Sequence, residues 1–200
     1  MDKRNYFVKN GRCNCDPAYL DIHMWPENDY KPYVTVCVYL SDDRLTVIFK
    51  TFEENIVSTY TEPNSPVYLD SCVEFFVNFF PAQSAKYMNF EVNPAGCMLI
   101  GFGESRENRV LLDDDRSGFR IRAHSEKSFW SVEYDIPFAF IEKHYGAAFA
   151  PENGMKWSAN FYKCGDDTPL PHYYVWNRIK SEKPDYHRPE SFGRLTVKMN

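Results

Sequence analysis

Glu74 and Glu91 are the residues of this chain whose setting most invites chemistry. Each carboxylate sits in a run otherwise made of aromatic, aliphatic and amide residues, CVEFFVN and MNFEVN. Such a group can accept hydrogen bonds from a hydroxyl-rich ligand. Two of them flanking a bond can also act as general acid and base, as in glycoside hydrolysis. The first reading carries more weight, because charged groups among aromatics on a packed sheet face cost stability unless they are used. No spacing in the sequence sets the two carboxyls on opposite sides of a cleft. Around the pair stand candidate ring platforms, Tyr68, Trp157, Tyr162, Tyr174 and Trp176. Trp157 reads as core, whereas Trp176, beside Asn177 in a proline-rich neighbourhood, reads as exposed. Arg106 and Arg109 offer guanidinium forks that can grip vicinal hydroxyls or a carboxylate.

Other reactive residues point less far. His172 and His187 lie close to prolines in PHY and YHRP. Either could serve as a base or a metal ligand, but neither has a nucleophile in a recognisable arrangement, and a hydrogen-bonded loop histidine is the stronger reading. Cys13 and Cys15 form a lone C-x-C without the second pair that zinc spacing requires. Cys37, Cys72 and Cys97 fall inside strand patterns, where a thiol behaves as a small apolar residue. A 200-residue domain does not need disulfides, so all six cysteines are expected to be reduced thiols. There is no phosphate loop, no G-x-S-x-G and no H-E-x-x-H.

The elements that must position these groups are strands. Val67–Phe80, Lys86–Asn93 and Cys97–Gly103 are predicted as three consecutive strands, punctuated by Pro81, Pro94 and Gly96. Side chains alternate along a strand. Val73, Phe75, Val77 and Phe79 therefore share one face, and Glu74, Phe76 and Asn78 the other. On the second strand Phe90 and Val92 oppose Asn89, Glu91 and Asn93. One sheet face is expected to be greasy and the other set with carboxylates, amides and rings.

Elsewhere, Tyr33–Leu40 and Arg44–Glu53 predict a hairpin closed by Ser41-Asp42-Asp43. Phe119–Ser125 and Phe129–Ile136 predict a second, around Glu126-Lys127. Pro137 opens the one plausible helix, which Gly146 ends. Met155–Lys163, Tyr174–Asn177 and Phe192–Met199 complete the strands. Residues 1–32 show little periodicity beyond a short edge strand within Tyr19–Trp25. The pattern is all-β, a two-sheet antiparallel β-sandwich with one short helix, in a single domain spanning residues 1–200 that no linker divides.

Composition narrows the partners. A formal net charge of −5 and scattered basic residues argue against nucleic acid. No stretch reaches the ~18 apolar residues of a membrane span. The N-terminus lacks the apolar core of a signal peptide, so the chain as written is expected to be cytoplasmic, or periplasmic or extracellular if a leader has been removed.

Four separated runs then fall into a familiar order: PVYLDSCVEFFV, YMNFEVNPAGCMLIGFGESRENR, ANFYKCGDDTPLPHYYVWNRI and KPDYHRPESFGRL. Across residues 30–197 the chain resembles the family 9-like carbohydrate-binding domains common in gut Bacteroidetes, relatives of the family 9 modules of xylanases and of jelly-roll and DOMON-like sandwiches. The resemblance implies a β-sandwich that binds sugars without catalysis, in the setting of polysaccharide use. It implies that Glu74 fills the family's acidic position, Asn160 an amide position and Arg106 the arginine position. Tyr68 stands where the pattern often has tryptophan, and Trp176 would be the second wall of an aromatic clamp. Glu91 and Tyr162 join this set from the polar sheet face. Xylanase modules also hold structural calcium, but no Asp-rich oxygen-ligand loop supports it here. Haem-binding relatives need an axial pair, for which Met88 and His172 are available without being singled out. The expectation is thus a carbohydrate-binding domain with no catalytic residue, metal or cofactor. The rivals are a small glycoside-processing enzyme using Glu74 and Glu91, and an interaction module that has lost its sugar site.

Overall fold

The computed structural model describes residues 3–199. Its strands are β1 (Asn5–Asn10), β2 (Ala18–Tyr19), β3 (Ile22–His23), β4 (Tyr33–Ser41), β5 (Arg44–Phe52), β6 (Cys72–Asn78) and β7 (Tyr87–Val92). They continue with β8 (Met98–Gly103), β9 (Arg109–Leu111), β10 (Arg122–Glu126), β11 (Phe129–Pro137), β12 (Lys156–Cys164), β13 (Tyr173–Val175) and β14 (Gly193–Lys198). One helix, α1 (Phe138–Tyr145), starts after Pro137 and stops at Gly146, whose φ of 67° is the left-handed cap expected of a glycine there. No helix among the described residues is long and apolar enough to cross a membrane.

The strands form one continuous sheet in the order β10-β11-β5-β4-β1-β14-β12-β6-β7-β8-β9. It curls so that its two halves face each other across a shared core. Val36, Val47, Phe49, Trp130 and Val132 from the first half meet Phe75, Val77, Phe90, Ile100 and Phe161 from the second. Both expected hairpins are present, β4 with β5 (Leu40 opposite Leu45) and β10 with β11 (Glu126 opposite Phe129).

Two expectations change. The sheet is mixed rather than strictly antiparallel, because β1 pairs in parallel with both β14 and β4. That strand lies in the segment read as irregular. Only Tyr6 and Val8 are buried along it, and two apolar side chains are too few to give a period. The first strand of the central trio also begins later than expected. Val67–Leu69 is a 3-10 turn, and Asp70 then turns the chain. Its carboxylate accepts hydrogen bonds from the backbone N–H groups of Thr59 and Tyr60 and from the Asn93 amide.

The outer face of β12, β6, β7 and β8 is buried too. Phe76, Tyr87, Leu99, Tyr162 and Cys164 on that face pack beneath Ile179, Tyr186 and Phe192, which belong to the irregular chain between β13 and β14. At the margin of the main core lies a buried ion pair, Lys163 Nζ to Glu53 Oε1 at 3.0 Å, both side chains almost fully enclosed. Trp130 Nε1 (2.6 Å) and the Ser71 hydroxyl (2.9 Å) also donate to Glu53. Lys163 donates further to the Cys164 carbonyl and to His172 Nε2. Burial and Lys163 hold His172 neutral, lowering its pKa to about 2. Nε2 is therefore the acceptor, and Nδ1–H donates to the Leu170 carbonyl at 2.7 Å. With both ring nitrogens engaged and Met88 packed in the inter-sheet core, neither member of the haem-type pair is free to ligate.

Breaking this pair tests how much the two halves depend on it. Lys163→Met strands a buried carboxylate, and urea denaturation is expected to show a loss of about 3–5 kcal/mol. Replacing Glu53 as well, in Glu53→Met/Lys163→Met, is expected to recover part of that loss.

Candidate functional site

A cavity of about 130 Å³ opens on the outer face of β6 and β7. Its floor is the carboxylate pair. Antiparallel register sets Glu74 directly opposite Glu91, with 3% and 2% of their surfaces exposed. Glu91 Oε1 accepts from Asn89 Nδ2 at 2.9 Å and from Arg109 Nη1 at 3.4 Å. Burial lifts its pKa to about 7, while Arg109 pulls the other way. Glu74 is pushed well above the carboxylate range, first by burial and then by the charge of Glu91. Two carboxyls so close in a low-dielectric floor do not both ionise readily. The pair therefore holds a proton more readily than exposed carboxylates do, so the floor can donate to a ligand hydroxyl as well as accept from one.

Two glycines shape this floor. A Cβ on Gly101 would lie 2.4 Å from Asn89 Oδ1, so only glycine leaves room for the amide that holds Glu91. A Cβ on Gly103 would lie 2.1 Å from the Asn108 carbonyl oxygen, so glycine there permits the tight return from β8 to β9. That return brings Arg109 over the floor, where Nη1 donates to His187 Nε2 at 2.8 Å. His187 in turn donates from Nδ1 to the Tyr87 hydroxyl at 2.7 Å. Its pKa is lowered to about 3 by burial and by the neighbouring guanidiniums, so the ring is a neutral strut.

The walls come from loops. Arg106 reaches in from the β8–β9 turn and donates to Asp185 at 2.9 Å. Tyr68 stands on the 3-10 turn before β6, with 36% of its surface exposed. The 165–168 loop is tied to that turn by the Asp166 and Asp167 backbone N–H groups, which donate to the Tyr68 and Leu69 carbonyls. Asp166 lines the cavity, its pKa raised to about 6 by burial and Asp167. Tyr173 and Tyr186 complete the lining. Trp25 packs behind both, at 5.9 and 6.0 Å between ring centroids.

Of the residues expected from sequence, Tyr68, Glu74, Glu91 and Arg106 line this cavity, whereas Asn160, Tyr162 and Trp176 do not. Trp176 is only 4% exposed and packs on Phe161 in the main core, 5.4 Å between centroids, so it is not a clamp wall. Asn160 is wholly buried and spends its amide on backbone, donating to the Asn177 carbonyl and accepting from the Phe161 and Asn177 N–H groups. Tyr162 lies beneath the cavity, stacked on Tyr186 at 4.1 Å, with its hydroxyl on the Tyr186 carbonyl. The chain adds Arg109, Asp166, Tyr173, Asp185, Tyr186 and His187. Arg109 and His187 carry a chemical signal in sequence, but Asp166, Asp185 and Tyr186 sit in aperiodic loops and Tyr173 heads a three-residue strand, none of which gives one.

The carboxylates rise side by side from one floor. Such a pair offers hydrogen-bond donors and acceptors to a hydroxyl-rich ligand. Comparison with known proteins agrees. The sequence model of carbohydrate-binding family 9 matches residues 11–197. The chain belongs to that family. No curated protein matches it. Among solved structures, a proposed carbohydrate-binding protein from Bacteroides uniformis shares 25% identity, with a TM-score of 0.84 over 98% of this chain and 100% of that one. Two structures of a family 9 carbohydrate-binding module from Caldicellulosiruptor kristjanssonii share the fold. The cellotriose complex has 14% identity and a TM-score of 0.68, covering 98% of this chain and 95% of that one. The glucose complex has 13% and 0.69, covering 98% and 97%.

Two measurements check the family 9 site as drawn. Asn160→Ala takes the side-chain partner from three backbone groups and is expected to lower stability by about 2–3 kcal/mol in urea denaturation. For Glu91, the folded protein holds a proton between pH 4.5 and about 7 that the unfolded chain has released. Its contribution to stability is full below pH 4.5 and is lost as pH rises towards 7. The stability of Glu91→Gln relative to wild type should therefore rise across that window, by up to ~3 kcal/mol. Neutral His172 and His187 tilt both proteins alike below pH 6.5 and cancel in the difference.

Proposed function

We propose that this family 9 domain binds a mono- or oligosaccharide with one sugar unit seated over Glu74 and Glu91. The observation that carries the reading is the buried carboxyl pair at the base of an open, ring-flanked cavity. Paired hydroxyls on a sugar ring match a floor that can both donate and accept. Arg106 and Arg109 offer donors beside it, Asp166 and Asp185 offer acceptors, and Tyr68 and Tyr173 present ring faces to the apolar face of a pyranose. Glu91, Arg106, Arg109 and Asp185 are held by hydrogen bonds within the protein before a ligand arrives, so little ordering of them is left to oppose binding. Glucose and cellotriose, the ligands named for the Caldicellulosiruptor module, are the first sugars to try. Export and a role in polysaccharide breakdown are consistent with such an activity.

Isothermal titration against glucose, xylose, cello-oligosaccharides and xylo-oligosaccharides tests the proposal. Saturable heat is expected for at least one of them. Tyr173→Ala should weaken it about tenfold, and Glu74→Ala by at least as much. Trp176→Phe should leave the affinity unchanged, because that ring belongs to the core. No heat from any sugar with a folded wild-type domain would overturn the reading.

A further inference from the structure

Glu74 differs from Glu91, the other buried carboxylate of the cavity, in what holds it. Glu91 has an amide and a guanidinium, and Asp185 has Arg106 together with a backbone N–H. Among the described residues, Glu74 has one partner, the Cys164 thiol, with Sγ 3.1 Å from Oε1. A thiol is a weak donor, and both nearby arginines are committed elsewhere. A buried carboxyl with so little support points to a cation that the surrounding side chains could hold.

Those side chains are present. Cys72 and Cys164 face each other directly across the β6–β12 ladder, and Glu74 lies two residues beyond Cys72 on the same strand face. Both sulfurs and a Glu74 oxygen fall within 4.8 Å of one another, and all three residues are buried. A tetrahedral ion with metal–sulfur distances of ~2.3 Å and a metal–oxygen distance of ~2.1 Å needs its donors roughly 3.5–3.8 Å apart, so the cluster closes on such an ion with small side-chain shifts. Charge runs the same way. The cavity is lined by four carboxylates, Glu74, Glu91, Asp166 and Asp185, against the two guanidiniums of Arg106 and Arg109.

We propose that Cys72, Cys164 and Glu74 form a binding site for a thiophilic divalent cation of the zinc and cadmium class. Two sulfurs and one oxygen exclude calcium and magnesium, which take all-oxygen shells. The ion binds as both thiol protons and the carboxyl proton of Glu74 leave to solvent, and no electron is transferred. Glu74 and Cys164 also line the cavity, so the fourth coordination position faces it and takes water or a ligand oxygen. The site stands on side chains alone and does not depend on the sugar reading.

The test uses the full chain carrying Cys13→Ser and Cys15→Ser, kept reduced, and titrated with cadmium while the ultraviolet sulfur-to-metal absorption is followed. The expected result is a band that saturates at one equivalent and is chased by zinc but not by calcium. Adding Cys72→Ser, or Cys72→Ala as a second variant, should abolish it while circular dichroism stays native. No band in the reduced protein, or an undiminished band after Cys72 is replaced, would overturn the proposal. Because Cys72 does not line the cavity, Cys72→Ser should leave the sugar titration of the metal-free protein unchanged. A cadmium band without sugar heat therefore sinks the sugar reading alone, and sugar heat without a band sinks the metal site alone.

Discussion

Strands β6 and β12 are covered on both faces, and most of what is distinctive in this domain follows from that double covering. Each strand has the alternation of a half-buried sheet, Val73-Phe75-Val77 against Glu74-Phe76-Asn78 and Trp157-Ala159-Phe161 against Ser158-Asn160-Tyr162. In an open sandwich the second set would be wetted. Here the chain between β13 and β14 lies across it and seals it with Ile179, Tyr186 and Phe192. Each polar group on that face must then find a partner inside the protein or be reserved for a ligand. Asn160 takes the first course by pinning the Asn177 backbone. Glu91 takes it too, through Asn89 and Arg109, whereas Glu74 has only a thiol and lies at the floor of the cavity.

Two buried acid sites show how differently charge can be accommodated. Glu53 is met by an ammonium, an indole and a hydroxyl, so its charge is shared among donors of matching strength. The Glu74 and Glu91 pair has a guanidinium on one member and only a thiol on the other. The fold has thus placed its well-compensated charge in the core and its poorly compensated one at the cavity floor. Uncompensated polarity held by a rigid sheet is what a ligand can satisfy, and the neutral His187 strut keeps Arg109 in place to help.

The parts legible in the sequence are those governed by period. The alternation and turn chemistry of residues 33–53 and 119–137 specify their hairpins, and Pro137 with Gly146 brackets the helix. The same alternation places Glu74 and Glu91 on one face. What alternation does not encode is what lies above that face. Trp176 directly follows a three-residue strand too short for a period, and its neighbours Asn177 and the prolines suggest exposure. Its ring is instead drawn onto Phe161 by a core that sequence position cannot reveal. Asn160 was misplaced for the same reason, since an amide aimed at a ligand and one aimed at a backbone look identical in a strand. Tyr173, Asp185 and Tyr186 reach the cavity only because loops far apart in sequence converge there.

The parallel strand β1 carries a consequence for how the molecule is made. It lies between β4 and β14, and its register joins Asn5 to Arg194 and Lys9 to both Lys198 and Tyr39. A strand near one end of the chain thus bridges the two halves by pairing with one near the other end. Sheet closure must wait until residues 193–198 have left the ribosome. Until then the β4–β5–β11 half and the β6–β7–β8 half present the same apolar inner faces with nothing between them to fix their alignment. Long-range closure of this kind makes for slow folding and a period of exposure to wrong partners. The growing chain therefore benefits from whatever shields those faces before residues 193–198 arrive.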